Sequence, residues 1–169
     1  MIAAGDHRDA LAACARAHAA TLGRLCMAML GSQHDADEAV QETLLSAHRS
    51  MTGYRGEGSV RAWLCGIARH VCARQLETRR RAARPLEVVP PDADDPAGTF
   101  AARRRAERVR GALDRLRPTE REALVLRFVA DLSHREVAEA CAIDEATARK
   151  RVSRALDRLR SVLAPEEIE

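Results

Sequence analysis

The sequence predicts an all-α protein: two small helical domains joined by an acidic flexible linker, the C-terminal one containing a helix-turn-helix. Composition gives the class, since aromatic residues make up only 2% of the chain while Ala, Leu and Arg abound, which favours helices over a β-sandwich. An apolar fraction of 46% over 169 residues suffices for one medium or two small packed cores. Charge divides the chain. Gly66 to Arg84 carries Arg69, Arg74, Arg79, Arg80, Arg81 and Arg84 against Glu77 alone, whereas Pro85 to Phe100 carries Glu87, Asp92, Asp94 and Asp95 and no basic residue. With its adjacent prolines, Pro96 and Gly98, the acidic stretch buries too little to fold and reads as an extended tether. The expected organisation is therefore a helical domain over 1–84, a linker over 85–100 and a smaller domain over 101–169.

The first helix is read from Leu11, Cys14, Ala15, His18, Leu22, Leu25, Met29 and Leu30, which keep helical spacing until Gly31 ends the run. His18 lies on its apolar side and is expected in the core. A second helix starts near Asp35, where Asp35, Asp37 and Glu38 suit the positive end of a helix dipole. Asp35, Glu38 and Glu42 share a face with Gln41 beside it, while Val40, Leu44 and Ala47 pack elsewhere. Such a face is ordinarily solvated; it equally suits docking to a basic partner.

Thr52 to Ser59, TGYRGEGS, is a loop by its glycines, and a third helix is expected over Val60 to Arg81. Val60, Leu64, Ile67 and Val71 form its predicted buried stripe, Arg69 and Arg80 point away, and Trp63, His70, Arg74 and Arg81 share one flank. An aromatic ring among cations can hold a phosphate backbone while a base is stacked or splayed. Trp63 as a core residue at the domain edge fits the same spacing.

Leu132 to Arg160 reads as a short helix, a tight turn and a second, basic helix, the layout that places a helix in the major groove of DNA. Ser133 with Glu136 forms a capping box, turning Val137, Ala138 and Cys141 inward. Asp144 caps the second helix, whose stripe of Ala148, Val152, Ala155, Leu159 and Val162 leaves Ala146, Lys150, Ser153, Arg154 and Asp157 outward, flanked by Arg149 and Arg151. Arginine, lysine and serine suit base edges and phosphates. From spacing alone, a solvated helical hairpin fits as well.

No long apolar run could span a membrane and no basic-then-apolar leader opens the chain, so a cytoplasmic protein is expected. Cys14, Cys26, Cys65, Cys72 and Cys141 are odd in number, which disfavours a disulfide framework. Cys14, His18 and Cys26 follow one another along a helix, but no spacing of a closed metal site accompanies them; no metal or cofactor is expected. A thiol-based or metal-sensing enzyme would need a nucleophile, a base and an orienting group, and no such set stands out. The chain is not expected to be an enzyme.

Two stretches carry a family resemblance. LGSQHDADEAVQETLLSAHR through GYRGEGSVRAWLCGIARHVCARQLETRRR resembles the second region of bacterial sigma factors of the extracytoplasmic-function (ECF) group, and LRPTEREALVLRFVADLSHREVAEACAIDEATARKRVSRALDRLR resembles their fourth region. The resemblance implies a factor that binds core RNA polymerase, recognises minus-thirty-five and minus-ten promoter elements and stabilises the melted strand. By this resemblance Asp35, Asp37, Glu38, Gln41 and Glu42 dock on the β′ clamp helices. Thr52 to Gly58, with Tyr54 and Arg55, captures a flipped base, which must leave the stack before its pairing edge can be read. Trp63, Arg69, His70 and Arg74, with Arg80 and Arg81, approach the melted minus-ten strand, and Arg149, Lys150, Ser153 and Arg154 contact the minus-thirty-five element. The apolar helix EREALVLRFV, read as capped by Thr119 with Glu122, matches the part that meets the β flap, and the acidic linker would follow the RNA exit path.

A restraining anti-sigma factor is also implied. The alternative implied function is a sigma mimic that sequesters an anti-sigma factor without reading DNA. Ala142, Ala146 and Ala148 depart from the family's usual turn and recognition-helix residues, leaving the angle of that helix less defined, and His70 replaces a common asparagine.

Overall fold

The computed structural model describes residues 4–82 and 99–164, and among these residues every regular element is helical. Most of the expected linker, including Glu87, Asp92, Asp94 and Asp95, lies outside the described residues. The N-terminal bundle comprises α1 (Ala4–Leu30), α2 (Gln33–Ser50), a short 3₁₀ turn (Met51–Gly53) and α3 (Val60–Arg81). The second contains α4 (Phe100–Asp114), α5 (Pro118–Phe128), α6 (His134–Cys141) and α7 (Glu145–Leu163).

Local chemistry sets most of these boundaries. Gly31 ends α1 in the left-handed region at φ 75°, with its N–H donating to the Met27 carbonyl, a conformation glycine adopts without a Cβ penalty. Ser32 then caps α2 by accepting from the Asp35 N–H, so α2 starts at Gln33, before the acidic cluster rather than within it. Ser59 caps α3 and Thr99 caps α4 in the same way. Thr119 does not cap α5: Arg117 holds the cap position without a side-chain bond, and Pro118 opens the helix with its φ already set and no N–H to satisfy.

α1, α2 and α3 pack around Leu22, Leu25, Cys26, Met29, Ala36, Ala39, Thr43, Ala47, Leu64, Ala68 and Cys72. Leu22, Leu25 and Leu64 are fully buried, each contributing about 1.5–3 kcal/mol through loss of apolar surface to water. The inner face of α3 differs from the expected stripe. Leu64 and Val71 are buried, but Val60 and Ile67 are half-exposed, and Ala62, Cys65, Ala68 and Cys72 take the interior with them. His18 is half-buried at the rim and absent from the core.

In the second bundle α7 crosses α4, α5 and α6. Ser133 and Glu136 complete the predicted capping box of α6, Asp144 caps α7, and Ala148, Val152 and Ala155 are buried as their spacing predicted. Ala142 makes the turn between α6 and α7 in the left-handed region at φ 53°.

The bundles are in contact. α3 lies against α6 and α1 against α5, and one apolar cluster runs from Leu22 through Leu64 and Val125 to Val137 and Val152. At the α3–α6 crossing, a Cβ on Gly66 would stand 3.1 Å from the Ala140 carbonyl oxygen, so the missing side chain permits the approach. Arginines bridge the seam: Arg61 to Glu136 at 3.2 Å, Arg69 to Glu122 at 3.0 Å, and Arg121 to the carbonyls of Ala28 and Met29 at 2.9 and 3.2 Å. The last of these satisfies free carbonyls at the C-terminus of α1, where the helix dipole also favours a cation.

Candidate nucleic-acid and polymerase interfaces

α2 buries Ala36, Ala39, Thr43 and Ala47, which turns Asp37, Glu38 and Gln41 to solvent. Of the predicted acidic set these three form the open surface. Asp35 is drawn inward to an ion pair with Arg79, and Glu42 pairs with Arg74. Leu45 continues the outward face one turn after Gln41 and is 57% exposed; its sequence signal, an apolar residue on a polar stripe, is too common to have singled it out.

The loop after α2 forms an open depression of about 570 Å³ lined by Ser50, Thr52, Gly53, Tyr54, Arg55, Glu57 and Trp63. Tyr54 and Trp63 stand with ring centroids 4.8 Å apart, tilted by 38°. Both are half-buried, and Trp63 packs against the core while also bordering the depression. Gly56 and Gly58 sit at φ 70° and 83°, conformations that let the loop fold over the site. Planar rings flanked by hydroxyls and a carboxylate have the chemistry to stack a base and accept from its edge.

Along α3 the predicted strand-facing residues separate. His70, Arg74, Arg80 and Arg81 are exposed, with Arg80 and Arg81 sharing Glu77. Those arginines hold the Glu77 carboxyl below its usual range, chiefly through the Arg80 hydrogen bond. Arg69 does point away from its own bundle's core, but into the other domain: its Nε donates to the Ala140 carbonyl at 3.2 Å, and its side chain is 21% exposed. A second cleft of about 380 Å³ follows the seam and includes Trp63, Arg69, His70, Arg74, Glu139 and Ala140 in its walls.

On α7, Ala146, Arg149, Lys150, Ser153, Arg154 and Asp157 are all exposed, the outward face that spacing predicted. Arg149 is tied to Glu145 at 2.6 Å, whereas Lys150 and Arg154 have no ion pair among the described residues. The Asp144 cap is held ionised below its ordinary range by the hydroxyl and backbone N–H of Thr147, which fixes the first turn of this helix.

Cys26, Cys65, Cys72 and Cys141 are buried and Cys14 is half-buried. The neighbouring Cys72 thiol lowers Cys26, whereas the Cys26 thiol together with burial raises Cys72, and burial pushes Cys65 up to about 12 and raises Cys141. Thiols so disfavoured from ionising are poor nucleophiles. Cys14, His18 and Cys26 do not bring ligand atoms together, and the convergent set among the described residues is His34, Asp35 and Glu38 on exposed α2. No described helix is long and apolar enough to cross a membrane.

Arg61, Gly66, Arg121, Glu136 and Glu139 were not singled out as site residues, yet they line the domain seam. Gly66, as a glycine inside a helix, and Glu136, as a capping-box residue, carry signals of local structure, and neither signal points to a domain seam.

Residues 14–82 match sigma-70 region 2 and residues 106–159 match sigma-70, region 4. The chain is 34% identical over 163 residues to the ECF RNA polymerase sigma factor SigG of Mycobacterium tuberculosis, with 81% of this chain and 44% of SigG covered, so it spans less than half of that relative. It is 34% identical over 149 residues to SigM of the same species, covering 88% of this chain and 74% of SigM. A chain in the structure of CnrH with the cytosolic domain of CnrY superposes with a TM-score of 0.70 at 22% identity, covering 92% of this chain and 88% of that one. A chain in the structure of the sigma factor RpoE with the anti-sigma factor NepR from Bartonella quintana gives 0.65 at 24% identity, covering 86% and 91%. These structural likenesses establish the fold. The paired regions in order, and the extent of the SigM match, establish the family: the chain belongs to the ECF RNA polymerase sigma factors.

Proposed function

We propose that this ECF sigma factor binds core RNA polymerase through the outward face of α2 and directs promoter-specific initiation. Residues 1–84 form the polymerase and minus-ten unit, 85–100 the linker and 101–169 the minus-thirty-five unit. Asp37, Glu38 and Gln41 supply the open acidic surface for the β′ clamp helices, with Leu45 adding an apolar contact. Lys150, Ser153 and Arg154, with Arg149, read the minus-thirty-five element in the major groove; α5 meets the β flap. The Tyr54–Trp63 depression receives a flipped base while His70, Arg74, Arg80 and Arg81 neutralise the melted strand. Arg69 joins them once it leaves the domain seam. The protein performs no chemistry itself.

The observation that carries this reading is the recognition helix: Lys150 and Arg154 are exposed opposite a buried stripe, and neither is neutralised by a carboxylate among the described residues. Run-off transcription of fragmented host DNA by core polymerase, with and without the protein, tests it. New RNA starts sharing two spaced upstream motifs support initiation; their absence with a folded protein and matching polymerase overturns it. Replacing Asp37 and Glu38 by lysine is expected to weaken core binding while leaving helix content intact.

An anti-sigma factor is the proposed restraint, consistent with the complex of the sigma factor RpoE with the anti-sigma factor NepR among the structural neighbours. The mimic reading draws on the fold likeness to a chain in the complex of the anti-anti-sigma factor PhyR with NepR, at a TM-score of 0.61. The free cations of α7 weigh against it, because a mimic has no use for them.

A further inference from the structure

We propose that α4 carries a binding surface for single-stranded RNA, separate from both promoter-reading faces and turned away from the recognition helix.

The charge of this helix exceeds anything its own fold uses. Between Phe100 and Arg117 the sequence places seven arginines against Glu107 and Asp114. Every residue from Phe100 to Val109 is exposed, and α4 docks on its bundle near its C-terminal end, where Ala112 is buried and Leu113 half-buried. Phe100, Arg104, Arg108 and Arg115 recur at helical spacing on the side opposite Val109 and Leu113. The three guanidinium groups form a row about 16 Å long.

Helical arginines elsewhere in the chain are neutralised by carboxylates: Arg80 and Arg81 share Glu77, Arg149 pairs with Glu145 and Arg160 with Asp157. On α4, Asp114 gives its carboxylate to Arg121 of α5, and Arg104, Arg105, Arg108 and Arg115 have no ion pair among the described residues. Like charges four residues apart, as at Arg104 and Arg108, weaken a helix. A row that costs helix stability and buries nothing is offset once a polyanion lies along it. Arginine rather than lysine suits phosphate, which the planar guanidinium engages with two parallel bonds.

Phe100 narrows the polyanion to a single strand. It is 77% exposed at the head of the row, with the Arg104 guanidinium 5.7 Å from its ring centroid. An open ring beside cations stacks an unpaired base while the row holds phosphates, and the paired bases of a duplex offer it no such face. Direction narrows the strand further. Leu113 and Leu116 pack with Ala155 and Leu159 on the buried stripe of α7, whereas Lys150, Ser153 and Arg154 lie on its other side. The arginine row therefore faces away from DNA held by α7, and the melted strand is assigned to α3. The single strand that remains during initiation is the transcript, so the choice of RNA rests on the initiation role proposed above.

Fluorescence anisotropy of the full chain with a fluorescein-labelled oligouridylate tests the surface. Arg104→Gln and Arg108→Gln are each expected to lower the logarithmic salt dependence of binding by about 0.7, the weight of one phosphate contact on a single strand. Phe100→Ala is expected to weaken binding by about tenfold with that slope unchanged, as loss of one stacked base would. All three positions are exposed, so helix content by circular dichroism is expected to match wild type. Unchanged slopes in both arginine variants, with binding lost instead in Arg80→Gln combined with Arg81→Gln, overturn the α4 surface. Phe100→Ala binding like wild type leaves charge alone and overturns the single-strand reading. Polyglutamate that displaces the probe as well as unlabelled oligouridylate does assigns α4 to an acidic protein instead.

Transcription with 4-thiouridine in the RNA then identifies the strand. Photocrosslinks from the transcript to residues 100–115 are expected, and their loss when Arg104→Gln and Arg108→Gln are combined. Crosslinks there from 4-thiothymidine in the promoter, with none from the transcript, overturn RNA in favour of melted DNA. If no transcript forms with folded protein and matching polymerase, the initiation role has failed, while the anisotropy still decides whether α4 holds RNA.

Discussion

Arg69 reaches from α3 into the neighbouring domain, where its Nη1 donates to Oε2 of Glu122 at 3.0 Å. The Glu122 side chain is only 11% exposed there. Removing one member of such a pair strands the other away from water. Arg69→Ala is therefore expected to destabilise the folded chain by about 1–3 kcal/mol in urea unfolding. Arg74→Ala, which removes an exposed pair with Glu42, is expected to stay within about 0.5 kcal/mol of wild type. If both substitutions impair promoter opening, their stability difference separates the seam from the open surface.

The recognition helix predicts a different pattern. Arg154→Glu and Lys150→Glu change exposed residues opposite the buried stripe, so unfolding is expected to shift by no more than about 0.5 kcal/mol. Promoter-specific initiation is expected to be lost while core binding, measured by co-elution with polymerase, is retained. Loss of core binding instead would assign this face to polymerase.

Glu136 makes the seam sensitive to acid. Burial raises its carboxyl, but the Ser133 N–H, the Ser59 hydroxyl and Arg61 outweigh burial and hold it below its ordinary range. A carboxyl depressed in the folded state adds stability above its unfolded value, and that contribution disappears as pH falls through the folded one. Wild type is thus expected to exceed Glu136→Gln in thermal midpoint at neutral pH, with the gap closing only below about pH 4.3, the ordinary glutamate value. A gap independent of pH would mean that the amide perturbs packing rather than removing a charge.

Ala142 occupies the left-handed region, which costs a residue with a Cβ about 1–2 kcal/mol. Glycine relieves that strain but gives back part of the gain as unfolded-state entropy, about 0.4–1 kcal/mol. Ala142→Gly is expected to stabilise the chain by about 0.5–1 kcal/mol in urea unfolding. No gain would mean that the turn relaxes to accommodate either residue.

What the sequence made legible follows the range of the interactions. The Ser133–Glu136 box and the Asp144 cap span three residues and are satisfied locally, so both were readable directly. Thr119 with Glu122 has the same spacing but yields to Pro118, which starts the helix two residues earlier than a Thr119 cap would. The acidic face of α2 was visible as a face. The withdrawal of Asp35 and Glu42 was not, because Arg79 and Arg74 reach them from another helix.

α3 shows the limit most clearly. A single-stripe pattern suits a helix with one neighbour, whereas α3 lies against α1, α2 and α6. The small residues Ala62, Cys65, Ala68 and Cys72 therefore go inside although they carry little of the apolar periodicity. For the same reason Arg69, outward with respect to one bundle, became inward with respect to the next.

The apolar cluster that crosses from Leu22 to Val152 also governs how the molecule comes apart. With that core unbroken and Arg121 seated on the last carbonyls of α1, neither half can melt without exposing apolar surface on the other. Heating in a calorimeter would then give a single cooperative endotherm for a chain that carries two family regions. Parting the seam would resolve it into two, making calorimetric cooperativity a gauge of how tightly the halves are coupled.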